Sequence, residues 1–342
     1  MHRLKVLFAV TALLAFIALT PGAQASDQDF NGRWDIQVNA KPGDFGQFTT
    51  TAAWWLGITG AGTPDMKVVF VGAPDGGVDN IPIAKIENGV LHFTWVERAR
   101  PGRTANPKDR AEYTVKLVHG HLQGTMTSTS TNPATNLTFT GYPAPKIDEH
   151  DDGSWVKGKP ITLFDGKDLR GWTGVNSPKA AGWSVEDGLL KCAGSADDLI
   201  TVKKFWNFDL HAEYRLGERS NSGIGLRGRY EVQIMSNFGI APTIHATGSL
   251  VGRIPAAVNA SKPAGEWNTY DIRLVGMEVT TVLNGQTLYK KGVIDGLTGI
   301  AMDPFEGKPG PIELQGDHGA VEYRNLVLTP LTRRNGKSAK TN

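Results

Sequence analysis

Apolar and polar residues alternate along most of this 342-residue chain, in short runs that end in glycine, asparagine or proline. Alternation with period two puts successive side chains on opposite faces of a strand, so each run predicts one half-buried strand. The first set is Trp34–Val38, Phe48–Ile58, Met66–Val71, Ile81–Ile86, Val90–Val96, Tyr113–Val118, Leu122–Ser128 and Leu137–Thr140. Glu87-Asn88-Gly89 and His119-Gly120 are tight-turn signals, and Ala73-Pro74-Asp75-Gly76-Gly77 closes a third strand. Seven or eight strands joined by hairpins, without a helical period, predict a small antiparallel barrel or sandwich over residues 26–145. A second set covers Trp183–Val185, Leu189–Cys192, Leu199–Val202, Phe208–Leu216, Leu226–Met235, Trp267–Leu274, Glu278–Leu283, Pro311–Gln315 and Val321–Leu328. Asp187-Gly188 and Asn284-Gly285 mark hairpins among them. About nine strands with long returns predict a two-sheet jelly roll over residues 160–331. The 41 glycines and nine tryptophans agree with an all-β chain.

Three stretches break the alternation. Met1–Ala25 has a basic start (His2, Arg3, Lys5), an apolar run Val6–Leu19 and the small-x-small pattern Ala23-Gln24-Ala25. It reads as a signal peptide, so the mature protein is expected from near Ser26, in the periplasm or outside the cell. The run is too short to span a bilayer comfortably, and no later stretch predicts a span. Residues 146–159, bracketed by prolines and carrying the acidic run Asp148–Asp152, read as a solvated linker. His150 with Asp151 and Asp152 has metal-ligand chemistry, but such a linker needs none. Glu97–Arg110 gathers Arg98, Arg100, Arg103, Lys108 and Arg110 in a surface excursion, and residues 332–342 form a polar tail.

Composition narrows the partners. A formal charge of +2 without a basic stripe excludes a nucleic-acid surface. The lone Cys192 excludes an internal disulfide and reads as a small buried side chain. Trp54-Trp55 predicts one ring in the core and one at the surface. Trp267 reads as core.

The run Leu226–Ile234 stands out. One face would hold Leu226, Gly228, Tyr230, Val232 and Ile234; the other would hold Arg227, Arg229, Glu231 and Gln233. That polar face predicts a concave binding surface. Alternatively, Glu231 is salt-bridged to Arg227 or Arg229.

The second set also carries an ordered series of motifs. They are Leu163-Phe164-Asp165-Gly166-Lys167-Asp168-Leu169-Arg170-Gly171-Trp172, Trp183-Ser184-Val185-Glu186-Asp187-Gly188, Asn221-Ser222-Gly223-Ile224 and Glu231-Val232-Gln233-Ile234. Gly265-Glu266-Trp267-Asn268, Leu283-Asn284-Gly285, Gly310 to Gly319 and Tyr323-Arg324-Asn325 follow. In this order the motifs resemble the 3-keto-disaccharide hydrolase domain family, over about Lys159 to Pro330. The resemblance implies a concanavalin-like jelly roll that cleaves glycosides already oxidised at carbon 3. It does not reach residues 29–145.

A keto group at carbon 3 acidifies the hydrogen at carbon 2, so one base can form an enolate that expels the group at carbon 1. Such chemistry needs a base, a donor or cation at the enolate oxygen, and a proton source for the leaving oxygen. The candidates are Glu231 or a nearby histidine as base, Arg227 at the enolate and His318 as proton donor. Asn221, Gln233 and Gln315 would bind sugar hydroxyls. Arg229, His245 in the excursion Phe238–Pro263, and Arg324 complete the substrate-binding set. No cofactor is required. A divalent cation held by Asp197-Asp198 or Asp317-His318 could polarise the keto oxygen, though neither spacing is diagnostic.

Two other readings stay open. A concave polar sheet binds carbohydrate without chemistry. An ordinary retaining glycosidase of this fold carries a Glu-x-Asp-x-Glu-like strand, which here becomes Glu231, Gln233 and Met235. Only one carboxylate remains there, where double displacement needs two.

Overall fold

A computed structural model describes residues 26–39, 53–72, 77–97, 104, 109–129, 135–177, 180 and 182–334. The expected signal peptide, Arg98, Arg100, Arg103, Lys108 and most of the expected tail lie outside the described residues. The architecture is all-β. Apart from one short 3-10 turn at Asp27–Phe30, the described elements are strands. No helix among the described residues is long and apolar enough to cross a membrane.

The first nine strands form one antiparallel sheet. They are β1 (Gly32–Val38), β2 (Ala53–Thr59), β3 (Lys67–Val71), β4 (Val78–Ile81), β5 (Ile83–Glu87), β6 (Val90–Val96), β7 (Arg110–Val118), β8 (His121–Ser128) and β9 (Thr135–Pro143). Their order is β4-β3-β2-β1-β9-β8-β7-β6-β5, so chain neighbours β4 and β5 sit at opposite ends and the sheet curls into a nearly closed barrel. Aromatic rings fill it. Phe93 and Tyr113 stack with centroids 4.3 Å apart, and Trp54 meets Phe70 and Phe139 edge-on.

The rest forms a two-sheet jelly roll. Its strands are β10 (Trp155–Lys157), β11 (Ile161–Phe164), β12 (Trp172–Gly174), β13 (Trp183–Glu186), β14 (Leu189–Cys192), β15 (Leu199–Thr201) and β16 (Phe208–Leu216). There follow β17 (Asn221–Leu226), β18 (Tyr230–Met235), β19 (Asn268–Val275), β20 (Glu278–Leu283), β21 (Gln286–Val293), β22 (Glu313–Leu314) and β23 (Val321–Arg333). The larger sheet runs β13-β14-β23-β16-β19-β20-β21, with β10 and β11 also on β23; the smaller runs β12-β15-β22-β17-β18. Ile224, Tyr230, Val232, Ile234 and Leu314 of the smaller sheet pack on Leu210, Tyr214, Tyr270, Ile272 and Tyr323 of the larger. Alternation then sends Asn221, Gly223, Gly225, Glu231, Gln233 and Glu313 to the other face of the smaller sheet.

Four turns behave as their sequences predict. Asn88-Gly89, His119-Gly120, Asp187-Gly188 and Asn284-Gly285 each pair two positive φ values, between 50° and 79°. That geometry matches the right-handed twist of the flanking strands, and Asn, Asp and Gly tolerate it best.

Three expectations are corrected. The stretch around 148–152 is solvated only in part: Asp148, His150 and Asp152 are exposed, whereas Glu149 and Asp151 are tied down. Both oxygens of Asp151 accept from Arg273 (2.9 and 3.1 Å), and Glu149 Oε2 accepts from Trp206 Nε1 and Asn207 Nδ2, both at 2.8 Å. His150 Nδ1 lies 2.8 Å from Glu278 Oε1, so these groups answer charges on the larger sheet. Trp54 and Trp55 are both buried, at 1% and 2% exposure. They point to opposite faces of β2: Trp54 enters the barrel core, and Trp55 enters the core of the jelly roll. Trp267 is not in the core. Its ring is half-buried beneath the guanidiniums of Arg324 and Arg215, 4.0 and 5.0 Å from its centroid.

The two halves share a polar seam around that second indole. Arg253 lies 4.4 Å over Trp55, and Arg33 of β1 reaches Glu306 (3.1 Å) and Asp295 (3.2 Å).

Candidate functional site

The run Leu226–Ile234 is not one strand. β17 ends at Leu226, Arg227-Gly228-Arg229 form a turn, and β18 begins at Tyr230. Arg227 and Gly228 both have positive φ, 55° and 61°. The turn carries both arginines away from the polar face. Arg227 is fully buried; its Nε and Nη2 donate to Trp206 O (2.8 Å) and Asn207 Oδ1 (3.0 Å), and it stacks 3.6 Å from the Trp206 ring. Arg229 donates Nε and Nη2 to Asp303 Oδ1 (2.8 and 2.6 Å) and Nη1 to Lys308 O (2.8 Å). Neither forms the expected ion pair with Glu231, and Arg227 does not sit where an enolate could meet it. Arg324 is displaced too. It pairs with Glu213 on the outer face of the larger sheet, at 2.6 Å, because Tyr323 takes the inward position beside it.

Five other predicted residues share one face. On β18, Glu231 and Gln233 point the same way; Asn221 joins them from β17, and Gln315 and His318 follow β22. Gln315 N donates to Gly223 O at 3.0 Å, which aligns its side chain with the row Gln233–Gly223. His245 touches the edge of this face through its backbone, whose carbonyl accepts from Gln233 Nε2 at 3.4 Å. Glu231 is pinned on both sides: its N–H donates to Thr298 Oγ1 (2.9 Å) and its carbonyl accepts from Val251 N (3.0 Å).

Glu313 is the residue that the sequence reading missed. Gly225 of β17 pairs with Glu231 on one side and Glu313 of β22 on the other, so the three form one row across the sheet. A Cβ at Gly225 would lie 2.7 Å from Glu313 Oε2, and one at Gly223 would lie 2.4 Å from Glu231 Oε1. The two glycines therefore make room for the carboxyls. Glu313 is 1% exposed, and its Oε2 has no hydrogen-bond partner among the described residues. Gln315 Oε1 and Asn221 Oδ1 are buried and unpartnered in the same way. The signal was present in Pro311–Gln315, where Glu313 and Gln315 alternate with the apolar Ile312 and Leu314.

Burial and mutual repulsion set the protonation. Burial pushes Glu231 up to about 8; His318 opposes that shift, while Asp198 and Asp317 add to it. Burial likewise raises Asp198 to about 7, though Gly316 N–H donates to its Oδ1 at 2.8 Å. Glu313 is driven well above the carboxylate range by burial and by the charges of Asp198, Glu231 and Asp317. His318 is raised by its hydrogen bond with Asp317 Oδ1 and by the charges of Asp317, Glu231 and Asp198, while burial opposes the shift. Two carboxyls raised by burial and an imidazole raised by its carboxylate partner thus line one face.

Asp197 is occupied by donors: its oxygens accept from Asn176 N and Nδ2 and from Ser177 N, each at 2.8 Å. Among the described residues, no group of three or more His, Cys, Asp or Glu is arranged to hold a metal ion. Cys192 is buried and donates Sγ–H to Gly316 O at 3.1 Å. A separate cleft of about 480 Å³ is lined in part by Glu186, Lys191, Arg215 and Glu322. Its charges are paired with one another, Lys191 with Glu186 and Arg215 with Glu322.

Comparison with known proteins gives a family match over the jelly roll. The 3-keto-alpha-glucoside-1,2-lyase-like domain matches residues 159–329. A 3-keto-disaccharide hydrolase of Bacteroides thetaiotaomicron is 30% identical over 162 residues, which cover 37% of this chain and 55% of that protein. The chain thus spans about half the length of that curated relative. Among solved structures, a provisionally assigned glycosyl hydrolase from Parabacteroides distasonis is 28% identical. It covers 54% of this chain and 92% of its own, with a TM-score of 0.44. The carbohydrate-binding module CBM66 from Bacillus subtilis is 11% identical over 46% of this chain and 93% of its own, with a TM-score of 0.33.

Proposed function

The chain belongs to the 3-keto-alpha-glucoside-1,2-lyase-like domain family, and on that basis we propose an exported enzyme that cleaves 3-keto-glycosides by elimination and hydration. The observation that carries the reading is Glu231, a buried carboxyl raised to about 8, on one face with His318, whose charge acts on it and whose own affinity for a proton is raised. In the first step Glu231 removes the proton at carbon 2. The electron pair delocalises onto the carbon 3 oxygen, then returns to form the C1–C2 double bond as the C1–O bond breaks. His318 gives its proton to the departing oxygen. Water then adds across the double bond: His318 takes the water's proton as hydroxide joins carbon 1, and the proton on Glu231 returns to carbon 2, which restores both groups. The sum is hydrolysis without oxidation or reduction. Asn221, Gln233 and Gln315 supply amide groups for the ring hydroxyls.

An ordinary retaining glycosidase gains a second carboxylate from Glu313. Its backbone and that of Glu231 are two strand spacings apart, roughly 9–10 Å, and long side chains can narrow that gap. With Glu231 ionised as nucleophile and Glu313 neutral as acid, that route would use the same protonation states as elimination. The family match favours the elimination route, and the parallel assay decides between the two.

Product release from a disaccharide and from its 3-keto form, assayed in parallel, tests the proposal. Cleavage of the keto form alone is expected. Cleavage of the unoxidised sugar would replace elimination with double displacement, and binding without cleavage of either would leave a carbohydrate-binding protein.

A further inference from the structure

The elimination reading leaves one requirement unfilled, since Arg227 and Arg229 are both engaged away from Glu231. The geometry points to Glu313 as a catalytic residue that, as a neutral acid, donates a hydrogen bond to the carbon 3 oxygen of the substrate while Glu231 removes the carbon 2 proton. The inference rests on that reading of the reaction.

Three observations place Glu313 in this role. It stands across Gly225 from Glu231, so a sugar edge lying over the glycine meets one carboxyl on each side. Its Oε2 leans over Gly225, buried and without a protein partner, although an unpartnered buried polar atom is costly to keep. The charges that act most on it are anionic, Glu231 on β18, Asp198 beside β15, and Asp197 and Asp317, and together with burial they hold its proton on. His318, next to Asp317 and facing Glu231, is the group of opposite sign on this face. A carboxylic acid kept neutral in an apolar site is a strong donor to a developing enolate, and it needs no cation. The assignment also divides labour between like groups. Of two carboxyls on one row, the deeper keeps its proton and donates, and the other, beside His318, ionises first and accepts.

The test is enolisation without cleavage. A 3-keto-glucose lacking a leaving group should incorporate deuterium at carbon 2 from heavy water, followed by NMR, alongside cleavage of a 3-keto-disaccharide. Glu313→Ala should slow both reactions roughly a hundredfold or more, mainly in kcat. Glu313→Gln keeps the shape and a donor, and should retain exchange within about tenfold of wild type. The wild-type exchange rate, in which His318 has no leaving group to protonate, should fall at alkaline pH as Glu313 ionises, and this limb should vanish in Glu313→Gln, whose amide does not titrate. His318, Asp198, Asp317 and Glu231 remain in both proteins, so a limb due to them would persist. Exchange in Glu313→Ala equal to wild type, loss in Glu313→Gln equal to that in Glu313→Ala, or an alkaline limb that persists in Glu313→Gln would each overturn the role of Glu313 alone. Wild-type protein that neither exchanges nor cleaves would instead overturn the reaction itself.

Discussion

Glu231 and Glu313 occupy the two sides of Gly225 in one row of the five-stranded sheet, and both carboxyls fill space that side chains on β17 would otherwise take. The row explains why β17 reads Asn-Ser-Gly-Ile-Gly-Leu. Ser222, Ile224 and Leu226 face the core, and Gly223 and Gly225 between them leave the other face bare.

Gly223→Ala follows directly. A Cβ there would sit 2.4 Å from Glu231 Oε1, inside any allowed contact, so the carboxyl must move. Activity on a 3-keto-disaccharide is expected to fall at least about tenfold, because small displacements of a catalytic group are costly. Thermal unfolding should shift little by comparison. Activity within twofold of wild type would mean that the carboxyl does not work from its observed position.

Stability should depend on pH through the same groups. Burial raises Glu231 to about 8 and Asp198 to about 7 in the folded protein, against ordinary values of 4.5 and 3.8. Their folded values are raised, so stability is full below the unfolded values and is lost as pH rises through the folded ones. Glu231→Gln removes one such penalty. The variant should melt at nearly the same temperature as wild type near pH 4 and at a higher one near pH 8, and calorimetry across that range reads the difference. A gap that shrinks with rising pH would contradict the burial assigned to Glu231.

The arginines give a contrast. Arg229→Ala leaves Asp303 without its buried partner and should cost about 3–5 kcal/mol in denaturant unfolding. Arg324 pairs with Glu213 on an outer face with its side chain 41% exposed. Arg324→Ala should cost less than about 1 kcal/mol and leave turnover unchanged. A large loss of kcat with Arg324→Ala would return that residue to the site.

Trp55→Ala tests the seam. Removing a fully buried indole should cost about 3–5 kcal/mol. It also removes the ring beneath Arg253, two residues after Val251, whose N–H holds the Glu231 carbonyl. Turnover should therefore fall together with stability, and an unchanged kcat would show that the barrel does not steady the site.

Much of this was legible in the alternation. The Asn-Gly and Asp-Gly turns fall where their left-handed preference puts them, and the motifs from Leu163 to Asn325 mark the jelly roll. Glu231, Gln233, Gln315, Asn221 and His318 were legible as one polar surface. The arginines were misread because Leu226-Arg227-Gly228-Arg229-Tyr230 keeps perfect alternation through a turn. Only Gly228 hinted at it, and Arg227 adopts a left-handed φ that its residue type does not announce. Glu313 was passed over although Pro311–Gln315 alternates, because a glutamate in such a run announces only its face of the strand; its place across Gly225 from Glu231 follows from the pairing of β17 with β22. The opposed faces of Trp54 and Trp55 depend on what packs behind β2, which the local sequence does not contain.

Strand β2 has implications for dissecting or recombining this protein. Its two indoles anchor separate cores, and Gly296 exists as a socket: a Cβ there would fall 2.3 Å from the Trp55 ring. Cutting the chain between Pro145 and Lys159 would therefore not yield two clean modules. The jelly roll would be left with an open greasy notch at Gly296 and an unpaired Glu306, and a graft that supplies this fold without its barrel must plug that notch with a bulkier side chain of its own.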